Sequence, residues 1–151
     1  MKDFFLNNPT NKLHHDKIHF ILDNDDALNY HNKLEEYSKT PIIHLNALAK
    51  KIGVNKIFIK DESKRFRLNA YKVLGASYAI YKILSMNPKV STFCTATDGN
   101  HGMAVAWSCN MNNKESVIYV PKDTSDQRIQ NLTAIASRVY KTDLNYEGTC
   151  Q

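Results

Sequence analysis

No stretch of the chain approaches the roughly 18 uninterrupted apolar residues that a membrane-spanning helix requires. Residues 1–12 also lack a long apolar segment and a small-residue cleavage site, which argues against a secretory signal. The expected setting is therefore the cytoplasm, with no membrane partner. Cysteine is sparse: Cys94, Cys109 and Cys150 are odd in number and show no CxxC spacing, the pattern of free thiols in a reducing compartment. The pair His14-His15 has no further Cys or His at ligand spacing, so no metal site is expected there. Arginine is scarce too. Of 20 Lys+Arg, only Arg65, Arg67, Arg128 and Arg138 are arginine, and the lysines are scattered instead of gathered with interleaved aromatics. The net charge of +5 thus reads as a solvated, lysine-rich surface, and no nucleic-acid partner is expected. Internal repeats and low-complexity tracts are absent as well.

What is present is an ordinary globular make-up. Of the 151 residues, 42% are hydrophobic and 23% charged, enough to bury one core. Residues 1–39 read as a polar leader with one helix over 25–37, and Thr40-Pro41 marks the start of a domain over 40–151, because the residue before proline favours extended backbone. Beyond it, strands are expected over 42–45, 56–60, 92–96, 116–120 and from 139. Helices are expected over 47–51, closed by Gly53, over 70–84 with Asn69 as its N-cap, over 103–111, and through Ile129, Leu132, Ile135 and Ala136. This alternation predicts an α/β fold: an open, mostly parallel sheet with flanking helices. The chain is expected to stop at Gln151 inside a domain, just past the entry to another helix.

Two segments suggest chemistry. Lys72 falls in the first turn of the long helix, where unpaired amides carry partial positive charge, and partial desolvation there would favour the free amine that attacks an aldehyde. Gly75, Ala76 and Ala79 follow on the same face and leave a small-residue strip with room for something flat. The alternative is a surface lysine beside closely packed helices. The second segment, Thr97-Asp98-Gly99-Asn100-His101-Gly102, lies between a strand and a helix, where glycines admit a ligand close to the backbone and helix-start amides suit an anion. A capped turn is the simpler reading of that segment alone.

Together the segments are more specific. Lys60-Asp61-Glu62-Ser63, Arg65-Phe66 and Leu68-Asn69-Ala70-Tyr71-Lys72-Val73-Leu74-Gly75 resemble the cofactor-lysine segment of the diaminopropionate ammonia-lyases. The turn at 97–102, followed by Val105-Ala106-Trp107, is similar to that family's substrate loop. Tyr119-Val120-Pro121-Lys122 and Thr142-Asp143-Leu144-Asn145-Tyr146 resemble later family segments in the same order, so the likeness spans about residues 40–149. It implies part of a tryptophan synthase β-like fold that uses pyridoxal 5'-phosphate, with Lys72 in the internal aldimine and Asn100 on the ring hydroxyl. It also implies that Thr97, Asp98, Gly99, Asn100 and His101 hold an amino-acid substrate and that Asp98, where many relatives have Ser, takes the Cα proton. The implied reaction is α,β-elimination of 2,3-diaminopropionate to pyruvate and ammonia, in a homodimer.

Several positions depart from that pattern. Arg67 stands where the family usually has Gly, Met103-Ala104 replaces Arg-Gly, and Ala136-Ser137 replaces Gly-Ala. The family's glycine-rich phosphate loop, the group facing the pyridine nitrogen and a second carboxylate lie beyond the matched segments. Two alternatives follow: a truncated, non-catalytic remnant of the family, and a related lyase such as a threonine dehydratase, against which Asp98 in place of Ser argues.

Overall fold

The computed structural model describes residues 25–151, which run through α1 (Asp26–His31), β1 (Ile42–His44), α2 (Asn46–Ile52), β2 (Phe58–Lys60), a 3-10 turn (Arg65–Arg67), α3 (Lys72–Met86), β3 (Thr92–Ala96), α4 (Asn100–Met111), β4 (Glu115–Val120), α5 (Asp126–Thr133), β5 (Arg138–Lys141) and α6 (Tyr146–Thr149). Residues 1–24, and with them His14-His15, lie outside the described residues. The architecture is α/β. β4 is the middle strand of a parallel three-stranded sheet in the order β3-β4-β5, and its Val117, Ile118 and Val120 are buried, the near-continuous burial of a parallel strand covered on both faces. α3 lies along α4, and α4 packs on β3 and β4, so Val73, Ile80, Ala104, Val105, Ile118, Val120 and Leu132 form one core. Cys109 belongs to it, its thiol pushed up to about 11 by burial, and it packs as a small apolar group; all three cysteines are free.

Some local expectations need correction. The first helix ends at His31, six residues short of the expected 37, and continues as turns. Strands β1 and β2 do not join the main sheet: they pair antiparallel, Ile42 opposite Lys60 and His44 opposite Phe58, in a separate ribbon exposed along its length. Asn69 does not cap α3, since the helix starts at Lys72 with Tyr71 before it and no side-chain cap. Asn69 instead has φ +55°, in a run where Phe66 and Arg67 also have positive φ, at +49° and +56°. Left-handed backbone is costly for a β-carbon-bearing residue, more so for a bulky one. Phe66 stays there because its ring is buried, edge-on to Trp107 at 4.9 Å and tilted on Tyr37 at 6.3 Å. Arg67 is exposed and has no such burial to hold it there.

The turn is also tied from behind. Arg65 is only 5% exposed, so its charge must be matched. Its Nε donates to Glu62 Oε2 at 2.6 Å, Nη2 donates to Thr40 Oγ1 at 3.0 Å and Glu62 Oε1 at 3.1 Å, and Nη1 donates to the Ser38 carbonyl. The guanidinium lies 5.3 Å over the Tyr37 ring. Thr40 Oγ1 donates to Glu62, and Lys60 Nζ donates to the Thr40 carbonyl, joining the ribbon to the same cage. The Arg65 hydrogen bond holds the Glu62 carboxyl below the usual carboxylate range, so its stabilising share is complete above the ordinary value and is lost as pH falls through the lowered one.

The substituted pair Ala136-Ser137 has its own role. Ser137 Oγ accepts from Ser116 N at 3.0 Å and Ser116 Oγ accepts from Ser137 N at 3.1 Å, a reciprocal clip that opens the β4–β5 pairing.

Gly102, in the first turn of α4, permits a closer approach than any other glycine of the described residues. A β-carbon there would lie 2.5 Å from Thr97 Cγ2, 2.9 Å from Leu132 Cδ2 and 3.1 Å from Ile118 Cγ2. Alanine normally gains about 1 kcal/mol over glycine inside a helix, but overpacking here costs about 1–3 kcal/mol. Gly102→Ala is therefore expected to lower the urea midpoint, and a raised midpoint would contradict the packing account. Arg67→Gly should do the opposite, raising stability by about 1 kcal/mol in the same measurement by relieving left-handed strain at an exposed side chain.

Candidate active site

Strand β3 ends at Ala96, and Thr97 continues its ladder by donating its N–H to the Tyr119 carbonyl at 2.9 Å. The chain then folds back. Thr97 is 2% exposed, and its hydroxyl accepts from the amides of Gly99 at 3.1 Å and Gly102 at 3.3 Å. The first amides of a helix have no partners within it, and Thr97 satisfies that of Gly102 from the strand side. The turn that results carries Asp98, Gly99 and Asn100 past the sheet edge at the start of α4. Because α3 lies along α4, Lys72 arrives at the same end. Lys72, Asp98, Gly99 and Asn100 line one open cleft of about 190 Å³, together with Met103, Arg128, Asn131 and Leu132.

The expected residues are thus placed unequally. Lys72, Asp98, Gly99 and Asn100 meet; Thr97 lies beneath them as the clasp of the turn; His101 is on the turn but not in the cleft wall. Lys72 is exposed, not partly desolvated as expected. Of the small strip beside it, Ala76 is buried in the core, whereas Gly75 and Ala79 are exposed, and a β-carbon at Gly75 would meet nothing within 4 Å. That open space next to a primary amine, in a cleft that Asn100 also lines, leaves room for a flat aldehyde cofactor.

Arg128 escaped the sequence reading. Its Nη1 donates to the Asp98 carbonyl at 3.3 Å and stands 3.8 Å from Asp98 Oδ2. Its scarcity as an arginine was the one available signal, and no spacing rule ties it to a turn thirty residues earlier. Met103 brings a neutral side chain to the wall, and its neighbour Ala104 fills the core at 1% exposure. His101 counts as exposed overall, but partial burial of its ring, and then the charge on Lys72, hold its imidazole below the ordinary histidine value. Among the described residues no cluster of three His, Cys, Asp or Glu is set to hold a metal, and no helix is long and apolar enough to cross a membrane.

A lysine and an Asp-Gly-Asn turn thus share one cleft at one end of the parallel sheet of an α/β fold. The family model of pyridoxal-phosphate dependent enzymes matches residues 33–151, and the chain belongs to that family. The diaminopropionate ammonia-lyase of Escherichia coli (strain K12) is 38% identical over 141 residues, covering 82% of this chain and 35% of that protein. That of Salmonella typhimurium is 38% identical over 143 residues, covering 81% and 35%. A biosynthetic L-threonine dehydratase of Lactococcus lactis is a weaker match, 30% over 95 residues, covering 63% of this chain and 22% of that one. The crystal structure of the Escherichia coli lyase in complex with an aminoacrylate-PLP azomethine reaction intermediate superposes with a TM-score of 0.78 at 40% identity, covering 82% of this chain and 35% of that chain. The chain therefore spans about a third of the length of the curated lyases it matches.

The His101 environment makes a pH prediction. Its titration, followed by NMR, should have a midpoint below 6.5 that moves upward in Lys72→Met, where the neighbouring charge is gone. The unfolded chain then binds more protons just below the ordinary histidine value, so stability should decline as pH drops through that range and level off once His101 protonates in the folded state. An unmoved midpoint in Lys72→Met would show that the lysine charge is not felt there.

Proposed function

We propose that this chain carries the lysine side of a diaminopropionate ammonia-lyase, catalysing α,β-elimination of 2,3-diaminopropionate to pyruvate and ammonia. The observation that carries this reading is the single cleft shared by Lys72, Asp98 and Asn100. Lys72 would hold pyridoxal 5'-phosphate through its amine, beside the open space at Gly75, and Asn100 would bond the ring hydroxyl. The cofactor, when bound, supplies a sink for the electron pair left at the substrate Cα. The chain's own groups do the rest. The turn of Thr97, Gly99, Asn100 and His101 receives the substrate carboxylate, with Thr97 fixing its amides from below.

Asp98 removes the Cα proton. A carboxylate is basic enough for that and a serine hydroxyl is not; the stronger match to diaminopropionate ammonia-lyases than to a threonine dehydratase favours diaminopropionate over threonine as substrate. The Lys72 amine, which lines the same cleft, would carry a proton to the departing β-amine. We place this activity in the domain over residues 40–151, working in the cytoplasm as a homodimer.

Lys72→Ala should abolish the visible absorption that the purified chain gains from added cofactor; absorption that persists would overturn the assignment. Asp98→Asn should keep that absorption and lose at least about 100-fold in pyruvate release. The unaltered chain should prefer diaminopropionate to threonine in the same assay.

A further inference from the structure

An exposed carboxylate on a turn is a poor base unless something fixes it, because a misplacement of about 1 Å costs about 100-fold in rate. Asp98 is such a group: its side chain is 64% exposed, and the contact the structure gives it is with Arg128. That contact is two-pronged. One nitrogen, Nη1, donates to the Asp98 carbonyl at 3.3 Å and stands 3.8 Å from its carboxylate, so both the backbone and the side-chain direction of residue 98 are referenced to α5.

α5 is a firm reference. Leu132, one turn beyond Arg128 and on the same helix face, is fully buried and abuts Gly102 at the root of the same turn. Arg128 itself lines the cleft beside Lys72. Its side chain is 59% exposed and the pair is solvated, so the pair adds little to stability. The pair Arg138–Glu115, at 2.9 Å, is equally exposed but lies on the sheet away from the cleft, and serves as its control.

We propose that Arg128 is the positioning residue for Asp98: it holds the turn and aims the carboxylate across the cleft toward the substrate Cα. The proposal rests on Asp98 being the base of the elimination described above. It asks for a cation at position 128, since the single nitrogen Nη1 serves both the carbonyl and the carboxylate of residue 98, and a lysine keeps that charge on a stem of different reach.

Arg128→Gln, Arg128→Lys and Arg138→Gln decide it in three measurements. Amide hydrogen exchange of residues 98–100, read on the chain without cofactor, should quicken about tenfold in Arg128→Gln and stay unchanged in Arg138→Gln. With cofactor, visible absorption should stay within about twofold in all three, because Lys72 is untouched. Deuterium uptake at Cα of 2,3-diaminopropionate should slow about 10- to 100-fold in Arg128→Gln and recover in part in Arg128→Lys. Unchanged exchange at the turn overturns the proposal, and so does an equal fall in absorption and deuterium uptake, which would mark a general structural role. A parent chain that gains no absorption removes the elimination reading instead, and exchange at 98–100 still decides for or against Arg128.

Discussion

At residue 102 the first turn of α4 comes so near β3 and β4 that a β-carbon would lie 2.5 Å from Thr97, and the arrangement of the cleft follows from that approach. The close fit seats the start of α4 directly on the sheet edge. Thr97 can then reach two amides of the turn with one hydroxyl. α3 rests along α4 and brings Lys72 to the same end, while Leu132 touches the same spot and fixes the level at which α5 presents Arg128. Three helices are thereby indexed to one missing methyl group. A single tight contact can do this because packed interiors yield little to added volume.

The second constraint acts on the approach to Lys72. Between the ribbon and α3 the chain passes through left-handed backbone at three non-glycine residues, which local preference opposes. The opposition is met from two sides: the Arg65 cage grips the segment before the turn, and Phe66 is driven into the aromatic contact with Trp107 on α4. A buried arginine is costly unless every donor finds an acceptor. Here its bonds to Glu62, Thr40 and Ser38 make that burial tolerable and give the turn its shape.

Much of this was legible in the sequence, and the boundary of legibility has physical causes. α4 starts at Asn100, three residues before the expected 103, but the strands over 92–96 and 116–120 announce themselves by β-branched runs stopped by Asp or Pro, which are local signals. So does Gly53, which closes α2 with φ +75°. Asn69 misled because capping preference is local, whereas its left-handed backbone is imposed by Phe66 reaching an aromatic ring forty-one residues away. The face of Ala76 was misjudged for a similar reason: helical spacing groups it with Gly75 and Ala79, but the neighbouring α4 covers one side of that strip and leaves the other open. Lys72, Asp98 and Asn100 were marked by motifs, and the fold brings the three to one cleft. Arg128 was not, because half of its interaction is with a backbone carbonyl, which every residue possesses and no sequence pattern marks.

The ribbon of β1 and β2 has a wider effect than its size suggests. Two short strands with no covered face hold together weakly, so local opening should begin there and not at β4. Yet the ribbon shares its end with the guanidinium cage, through Lys60 on the Thr40 carbonyl and the Asp61 amide on the Pro41 carbonyl. Fraying at that end therefore slackens the grip on Arg65, and through it the lead-in to Lys72. The setting of the Lys72 amine is in this way tied to a stretch whose two strands are exposed along their length.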